Sequence, residues 1–513
     1  MKKFNIITLG LFSAAALMTS CSESFLEVES FTQDFVDTYY TTEEHIGQSL
    51  VAAYSPMQWN DWNGSQYNPQ NLMSDLMADD VYPGGNGPSD NEFYHLMANY
   101  SAIPTNCMSG MWSNMYSGVK RCNDLLKYAE ASKGEISEEN YNSWTEQARI
   151  LRAYYYNMLW KFWGNIPFYF ENLEAPFKAP QLKADEVYEK VITDLEGALA
   201  MNAIPTRWDD DNLGRVNKYT GYMLYAEMVM YQNDELRYGK ALTFMNEIIG
   251  DASYSLLPNF ADLWQSKNEW NSETIFDVMY SDNQTNRGWG AGDAIFAGGT
   301  VFPRLCGCPQ AFTDLGSDDG WGFSPVREAT WNLFTENDTR RDASIMDVRA
   351  MTDAMGADFK PRYQNTGLWN GKYYAYSKNV ENALGDKQLN YNNNLRIYRY
   401  SETLLNAAEL ELKVNNDAAK AANYVNQVRK RAGVSELSTV DLDAILNERH
   451  LEFVGEGKRY WDLVRTGKAA SVLVPSDEMG GLWRNKAWTE NKKYLPIPYT
   501  EMSADPALEQ NNY

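Results

Sequence analysis

The feature that most constrains the fold is a helical periodicity recurring in paired segments. In ARILRAYYYNMLWKFWG (148–164), Ala148, Leu151, Tyr155, Leu159 and Phe162 fall at the spacing that lines one face of an α-helix. DEVYEKVITDLEGALAMN (185–202) and KYTGYMLYAEMVMYQND (218–234) follow, the second with Tyr222, Ala226 and Val229 on one face. Near the C-terminus SETLLNAAELELK (401–413) groups Leu405, Ala408 and Leu412, and AANYVNQVRKRAG (421–433) groups Val425, Val428 and Ala432. Small alanines alternating with large aromatics let helices approach closely. The pattern therefore predicts a mainly α fold of tetratricopeptide-like helical hairpins, although no strict 34-residue signature repeats. The scaffold is expected over about 35–250 and 396–513.

The texture changes between these blocks. Residues 251–395 hold short strand-like runs such as ETIFDVMY (273–280), set among glycine, asparagine, aspartate and tryptophan. A second irregular region spans 55–91 and includes SPMQWNDWNGSQYNPQ and ADDVYPGGNGPSDN. Long loops on a rigid scaffold are where binding sites usually lie.

The first twenty residues are expected to be a secretory leader: Lys2 and Lys3, a short apolar stretch from Phe4 to Met18, then MTS before Cys21. A cysteine directly after small residues looks like a lipobox, which would make Cys21 a lipidated N-terminus and anchor the chain to a membrane without a span. The formal net charge of −24 becomes −26 once Lys2 and Lys3 leave, a balance that repels nucleic acid and other polyanions at long range. With 16 Trp and 34 Tyr, aromatics exceed what a core needs, and sugar binding is a common reason for such a surplus. Cys107, Cys122, Cys306 and Cys308 allow disulfides or free thiols. His45, His95 and His450 sit at no zinc-ligand spacing relative to them, and DDDNLG (209–214) lacks the ligands of an EF-hand, so neither metal nor cofactor is expected.

ILNERHLEFVGEGKRYWDLVRTG (445–467) concentrates glutamates, arginines and a histidine. On a helix over 441–456, Glu448, Glu452 and Glu456 share a stripe with Arg459. Carboxylates at i, i+4 are near the separation that retaining glycosidases use. However, such enzymes need them on opposite sides of the scissile bond, whereas one helical stripe points one way. Arg449, Arg459 and Arg465 are expected to hold them ionised, and His450 falls on neither stripe as a solvated or second-layer residue. This predicts a structural ion-pair lattice, with Gly455 and Gly457 bending the chain into a second helix capped by Gly467.

The same stretch resembles a known family, the RagB/SusD-like outer-membrane nutrient-binding lipoproteins. It looks like their ILxERxxELxxEGxRWxDLVR, with Tyr460 for the usual Trp and Phe453 for the usual Leu. YLPIPYTEMSADPALEQNNY (494–513) resembles the closing LPIPxxElxxNPxLxQNxGY, with Asp505 and Asn512 as substitutions. RAYYYNMLWKFWGNIP, VNQVRKRAG, MWSNMYSGVKRCNDLL, TTEEHIGQSLVAAY and NSETIFDVMY fall in the family's order. Acidic residues after Cys21 (Glu23, Glu27, Glu29) match surface-exported lipoproteins of this type.

The resemblance implies a single SusD-like domain over 21–513. It also implies a non-catalytic glycan-binding lipoprotein on the outer face of the outer membrane, acting as a lid on a SusC-like TonB-dependent transporter. Its platform would come from the region before the WSNMYSG helix and the loops after the ETIFDVMY strand. Here that points to Tyr82, Trp289 and Trp321 as sugar-stacking rings, with Asp80, Asn86, Arg287 and Asp319 as polar contacts. Trp62, Trp270 and Trp369 are weaker candidates, and the helix aromatics (Tyr154, Tyr155, Trp160, Trp163) read as core. The acidic balance favours a neutral oligo- or polysaccharide. Two alternatives stand beside this: a secreted glycoside hydrolase pairing Asp80 with Asp319, and a peptide-binding or purely structural transporter lid.

Overall fold

The computed structural model describes residues 39–62, 66–289, 298–358, 360 and 362–513; the expected leader and Cys21 lie outside them. The fold is mainly α and tetratricopeptide-like. Helices Ser109–Ala131, Glu138–Trp163, Ala184–Met201, Lys218–Gln232 and Tyr238–Gly250 each pack on the next in sequence. The run then skips to Tyr400–Asn415, which packs on Tyr238–Gly250, and continues through Ala418–Ala432 and Leu442–Phe453. Among the described residues no helix is long and apolar enough to cross a membrane.

Local chemistry sets these boundaries. Ser137, Asn217, Asp417 and Asp441 each accept a backbone N–H of the first turn and so satisfy a donor the helix cannot. Asn202, Asn233, Asn416 and Gly433 end their helices in the left-handed conformation that asparagine and glycine tolerate best. Between the first two long helices, a Cβ at Gly118 would stand 2.5 Å from the Tyr155 ring, so glycine is what lets that ring lie flat against the neighbouring helix.

The insertion between the two helical runs is clipped at its base by an antiparallel pair, Thr274–Val278 with Leu395–Arg399, placing Phe276 opposite Tyr398 and Asp277 opposite Arg396. The described residues between 279 and 394 leave from this clip as irregular loops, apart from short helices and the small pair Ile345–Asp347 with Leu368–Asn370. Cys107, Cys122, Cys306 and Cys308 are buried free thiols. Burial pushes Cys107, Cys122 and Cys308 up to about 12, so they stay protonated.

The charged stripe at 445–467 is an interior lattice. Glu452 accepts from Arg399 at 3.1 Å and Arg340 at 3.3 Å, and also pairs with Arg431. Glu448 holds Arg340 and Arg429, Glu456 holds Arg399 and Lys372, and Glu273 closes onto Arg399 and Arg431. The helix ends at Phe453, so Glu456 lies beyond it in the glycine bend.

The arginines expected to serve the stripe serve other carboxylates. Arg449 and Arg465 meet at Asp462, Arg465 reaches Glu409, and Arg459 holds Asp79. His450 is also a correction: it is buried, with Nε2 2.6 Å from Asp80.

The buried ion pairs around this lattice make the fold acid-sensitive. Burial alone would raise Asp462 and Glu227, but Arg449 and Arg465 around the first, and Lys161 and Lys458 around the second, outweigh it and hold both at about 2. A carboxylate lowered in the folded state contributes stability that is complete above its unfolded value of about 4 and is lost as pH falls toward 2. Asp277 has the opposite sign, since burial lifts it to about 7. The urea midpoint is therefore expected to fall steeply between pH 4 and pH 2. A midpoint unchanged over that window would contradict the lattice.

Candidate functional site

Four rings from three distant loops meet on the insertion side of the molecule. Trp289 lies 5.4 Å from Trp62 and 5.8 Å from Trp321 between ring centroids, the latter pair inclined by 33°. Tyr67 closes the group, 5.4 Å from Trp321 and 6.4 Å from Trp62. The burial is graded: Trp62 is buried, Tyr67 and Trp321 are half-buried, and Trp289 stands 44 % exposed. An aromatic of that size exposed on a packed aromatic base presents a flat face on which another ring or a sugar can stack.

The loops that carry the rings are fixed from behind. The Trp321 amide donates to the Arg304 carbonyl at 2.7 Å, and its own carbonyl accepts from Arg362 Nη2 at 2.8 Å. Gly320 packs so tightly on Gly307 that an added Cβ would sit 2.2 Å from its carbonyl carbon and oxygen. The Trp289 amide donates to Asp386 Oδ2 at 2.9 Å. The Tyr67 carbonyl accepts the Tyr94 hydroxyl at 2.7 Å, and burial pushes the Tyr67 phenol up to about 12, keeping it a hydrogen-bond donor at neutral pH.

The rim is polar. Asp319, whose side chain is 53 % exposed, is held 3.0 Å from Arg304, and Asp386 is exposed beside Trp289. Such a surface offers flat apolar faces edged by donors and acceptors, which matches the CH faces and hydroxyl rims of a sugar chain.

The C-terminal part of the chain, residues 272–513, matches the SusD family, and residues 24–229 match a family described as starch-binding associating with outer membrane. Among solved structures, surface glycan-binding protein A from Bacteroides thetaiotaomicron in complex with laminarihexaose is 47 % identical. That likeness covers 92 % of this chain and all of the other, with a TM-score of 0.87. The chain belongs to the SusD family. Surface glycan-binding protein A from Bacteroides uniformis is 42 % identical over 92 % of this chain and 99 % of its own, with a TM-score of 0.83. A laminarin-binding SusD-like protein is 29 % identical over 92 % of this chain and 100 % of its own, with a TM-score of 0.82. The chain's relatives within the SusD family are thus glycan-binding proteins.

The residues singled out from this SusD-family sequence divide sharply. Trp289 and Trp321 lie side by side in the cluster, with Asp319 at its edge. Asn86 is exposed in its own loop, bonded to Asp90. Three others are corrections, because the structure buries them.

Tyr82 is 3 % exposed, packs edge-on against Trp483 at 5.1 Å and donates its hydroxyl to Glu478. Asp80 is 1 % exposed, held by His450 and Thr330. It therefore cannot face Asp319 across a cleft, and the hydrolase alternative loses its first carboxylate. Arg287 is 4 % exposed and points inward to Asp61. Trp369 is fully buried.

Asp79, Asp80 and His450 place ligand-type atoms within 4.8 Å of one another, but Arg459 occupies Asp79 and His450 itself occupies Asp80. The cluster also contains Trp62, a weaker candidate in the sequence, and Tyr67 and Asp386, which the sequence does not single out. The first two share the segment DWNGSQY, where two aromatics flank an asparagine–glycine turn signal.

Proposed function

We propose that this protein is a cell-surface lipoprotein that binds a neutral β-1,3-glucan of the laminarin type on the Trp289–Trp321 platform. The observation that carries the reading is the tilted pair of indoles, Trp289 exposed and Trp321 half-buried, on a fixed base. A glycan stacking on both rings must turn through their 33° inclination, which suits a curved β-1,3-linked chain better than a flat β-1,4-linked ribbon. The relatives named for laminarihexaose and laminarin support the same choice. Asp319 and Asp386 at the rim disfavour anionic sugars.

Cys21 supplies the lipid anchor, and the bound chain is handed, without hydrolysis, to a SusC-like TonB-dependent transporter in the outer membrane. Two or three stacked sugars at about 1–1.5 kcal/mol each, with a few edge hydrogen bonds, give a Kd on the order of 1 mM. Weak capture suits a protein that must also release, and a long polysaccharide gains apparent affinity by engaging many copies. Affinity gel electrophoresis of residues 22–513 tests this. Laminarin is expected to retard the protein, while cellulose derivatives and polygalacturonate leave it unretarded. Retardation by an acidic glycan alone would overturn the neutral β-1,3-glucan reading.

A further inference from the structure

The residue expected to touch sugar, Arg287, is instead the centre of a buried junction beneath the platform. Asp61 Oδ1 accepts Arg287 Nη2 at 3.1 Å and the Trp62 amide at 2.7 Å. Its Oδ2 accepts Arg287 Nη1 at 3.1 Å and the Val301 amide at 2.7 Å. The guanidinium donates onward to the carbonyls of Trp62 at 2.6 Å and Gly299 at 2.8 Å, and lies 5.2 Å over the Trp62 ring. Both side chains are 2 % exposed.

On its other side the Arg287 carbonyl accepts from the Asp386 amide at 3.0 Å and from Asn390 Nδ2 at 2.8 Å. Two residues on, the Trp289 amide is held by Asp386 Oδ2. One residue therefore ties together the Trp62 loop, the loop carrying Trp289, the segment at Gly299 and the loop at 386–390.

We propose that Arg287 and Asp61 are positioning residues, a buried fork-to-fork pair that sets the distance and inclination of Trp289 over Trp62 and thereby shapes the sugar platform. This deepens the glycan-binding reading and rests on it. A buried ion pair is by itself weak evidence for stability, since well-packed apolar groups often replace one at no loss. What apolar groups cannot supply is direction. The planar guanidinium fixes two carboxylate oxygens and two carbonyls at defined angles, which a lysine ammonium cannot reproduce.

Arg287→Lys keeps the charge and removes the fork. The readout is the circular dichroism couplet of the closely spaced indoles, measured without ligand and calibrated by Trp289→Phe. Arg287→Lys is expected to lose at least half of the couplet that Trp289→Phe removes, and to weaken laminari-oligosaccharide binding about tenfold, the worth of one stacked ring. The Arg287→Lys/Trp289→Phe double variant should bind no more weakly than Trp289→Phe alone, because Arg287 acts only through that ring.

A wild-type couplet in Arg287→Lys would overturn the proposal, as would an additive loss in the double variant. If Arg287→Lys fails to fold, Asp61→Asn keeps the shape of the carboxylate but removes its charge and one arm of the fork, and is expected to lose the couplet likewise; an intact couplet there also overturns it. Wild-type protein that binds no glycan, with the couplet still lost in Arg287→Lys, would remove the glycan reading and leave the positioning role standing.

Discussion

Replacing Glu452 by alanine is expected to destabilise the protein by about 3–5 kcal/mol, the cost of breaking a buried ion pair from one side. Arg340, Arg399 and Arg431 converge on this carboxylate, and none is more than 3 % exposed at its side chain. Removing Glu452 would leave those guanidiniums with less counter-charge and no water to replace it. The lattice joins the helix Leu442–Phe453 to Arg399 at the end of the clip strand and to Arg340 within the insertion, so the loss should loosen the base from which the loops leave. Lys133→Ala, which removes an exposed pair with Glu130 at 3.8 Å, should stay within about 0.5 kcal/mol. Chemical denaturation midpoints of the two variants measure the contrast. Equal small effects would mean the interior charges are solvated.

Trp289→Ala and Trp321→Ala are expected to weaken binding of a β-1,3-gluco-oligosaccharide by about tenfold or more each, with folding little changed for Trp289. Each indole supplies a stacking face worth about 1–1.5 kcal/mol, and losing 1.4 kcal/mol is a tenfold change. Trp289 is 44 % exposed, so its truncation opens little cavity. Trp321 is half-buried against Tyr67, so its loss should also cost some stability. Tyr82→Phe is the control: that ring lies in the interior beside Trp483, and glycan affinity should be unaffected. Isothermal titration on the three variants decides between them.

The helical scaffold was legible because its information is local: a 3.6-residue period, a capping aspartate or asparagine, a closing glycine. The lattice was half legible. Glu452 reads as structural from its place on one helical face, yet its partners are Arg340, Arg399 and Arg431, from 21 to 112 residues away on other elements, and not the nearby Arg449, Arg459 and Arg465.

The site shows the same limit more sharply. Trp289 and Trp321 sit between glycines and Tyr82 lies two residues before Gly84, all in irregular segments, and that context cannot tell a platform from a plug. What separates them is Trp483 and Glu478 covering Tyr82, a contact made across some 400 residues. Asp80 and Arg287 look solvent-facing in their loops, but His450 and Asp61 draw them inside from 370 and 226 residues away. Trp62 meets Trp289 beside the Asp61–Arg287 pair, which joins two loops more than two hundred residues apart.

The most direct test of the glycan platform is a fluorescence titration of residues 22–513 with laminarihexaose. Stacking on Trp289 and Trp321 should change their emission in a saturable way, and the change should vanish in the Trp289→Ala/Trp321→Ala double variant. A flat titration up to several millimolar, or a saturable change that survives in that variant, would contradict the assignment.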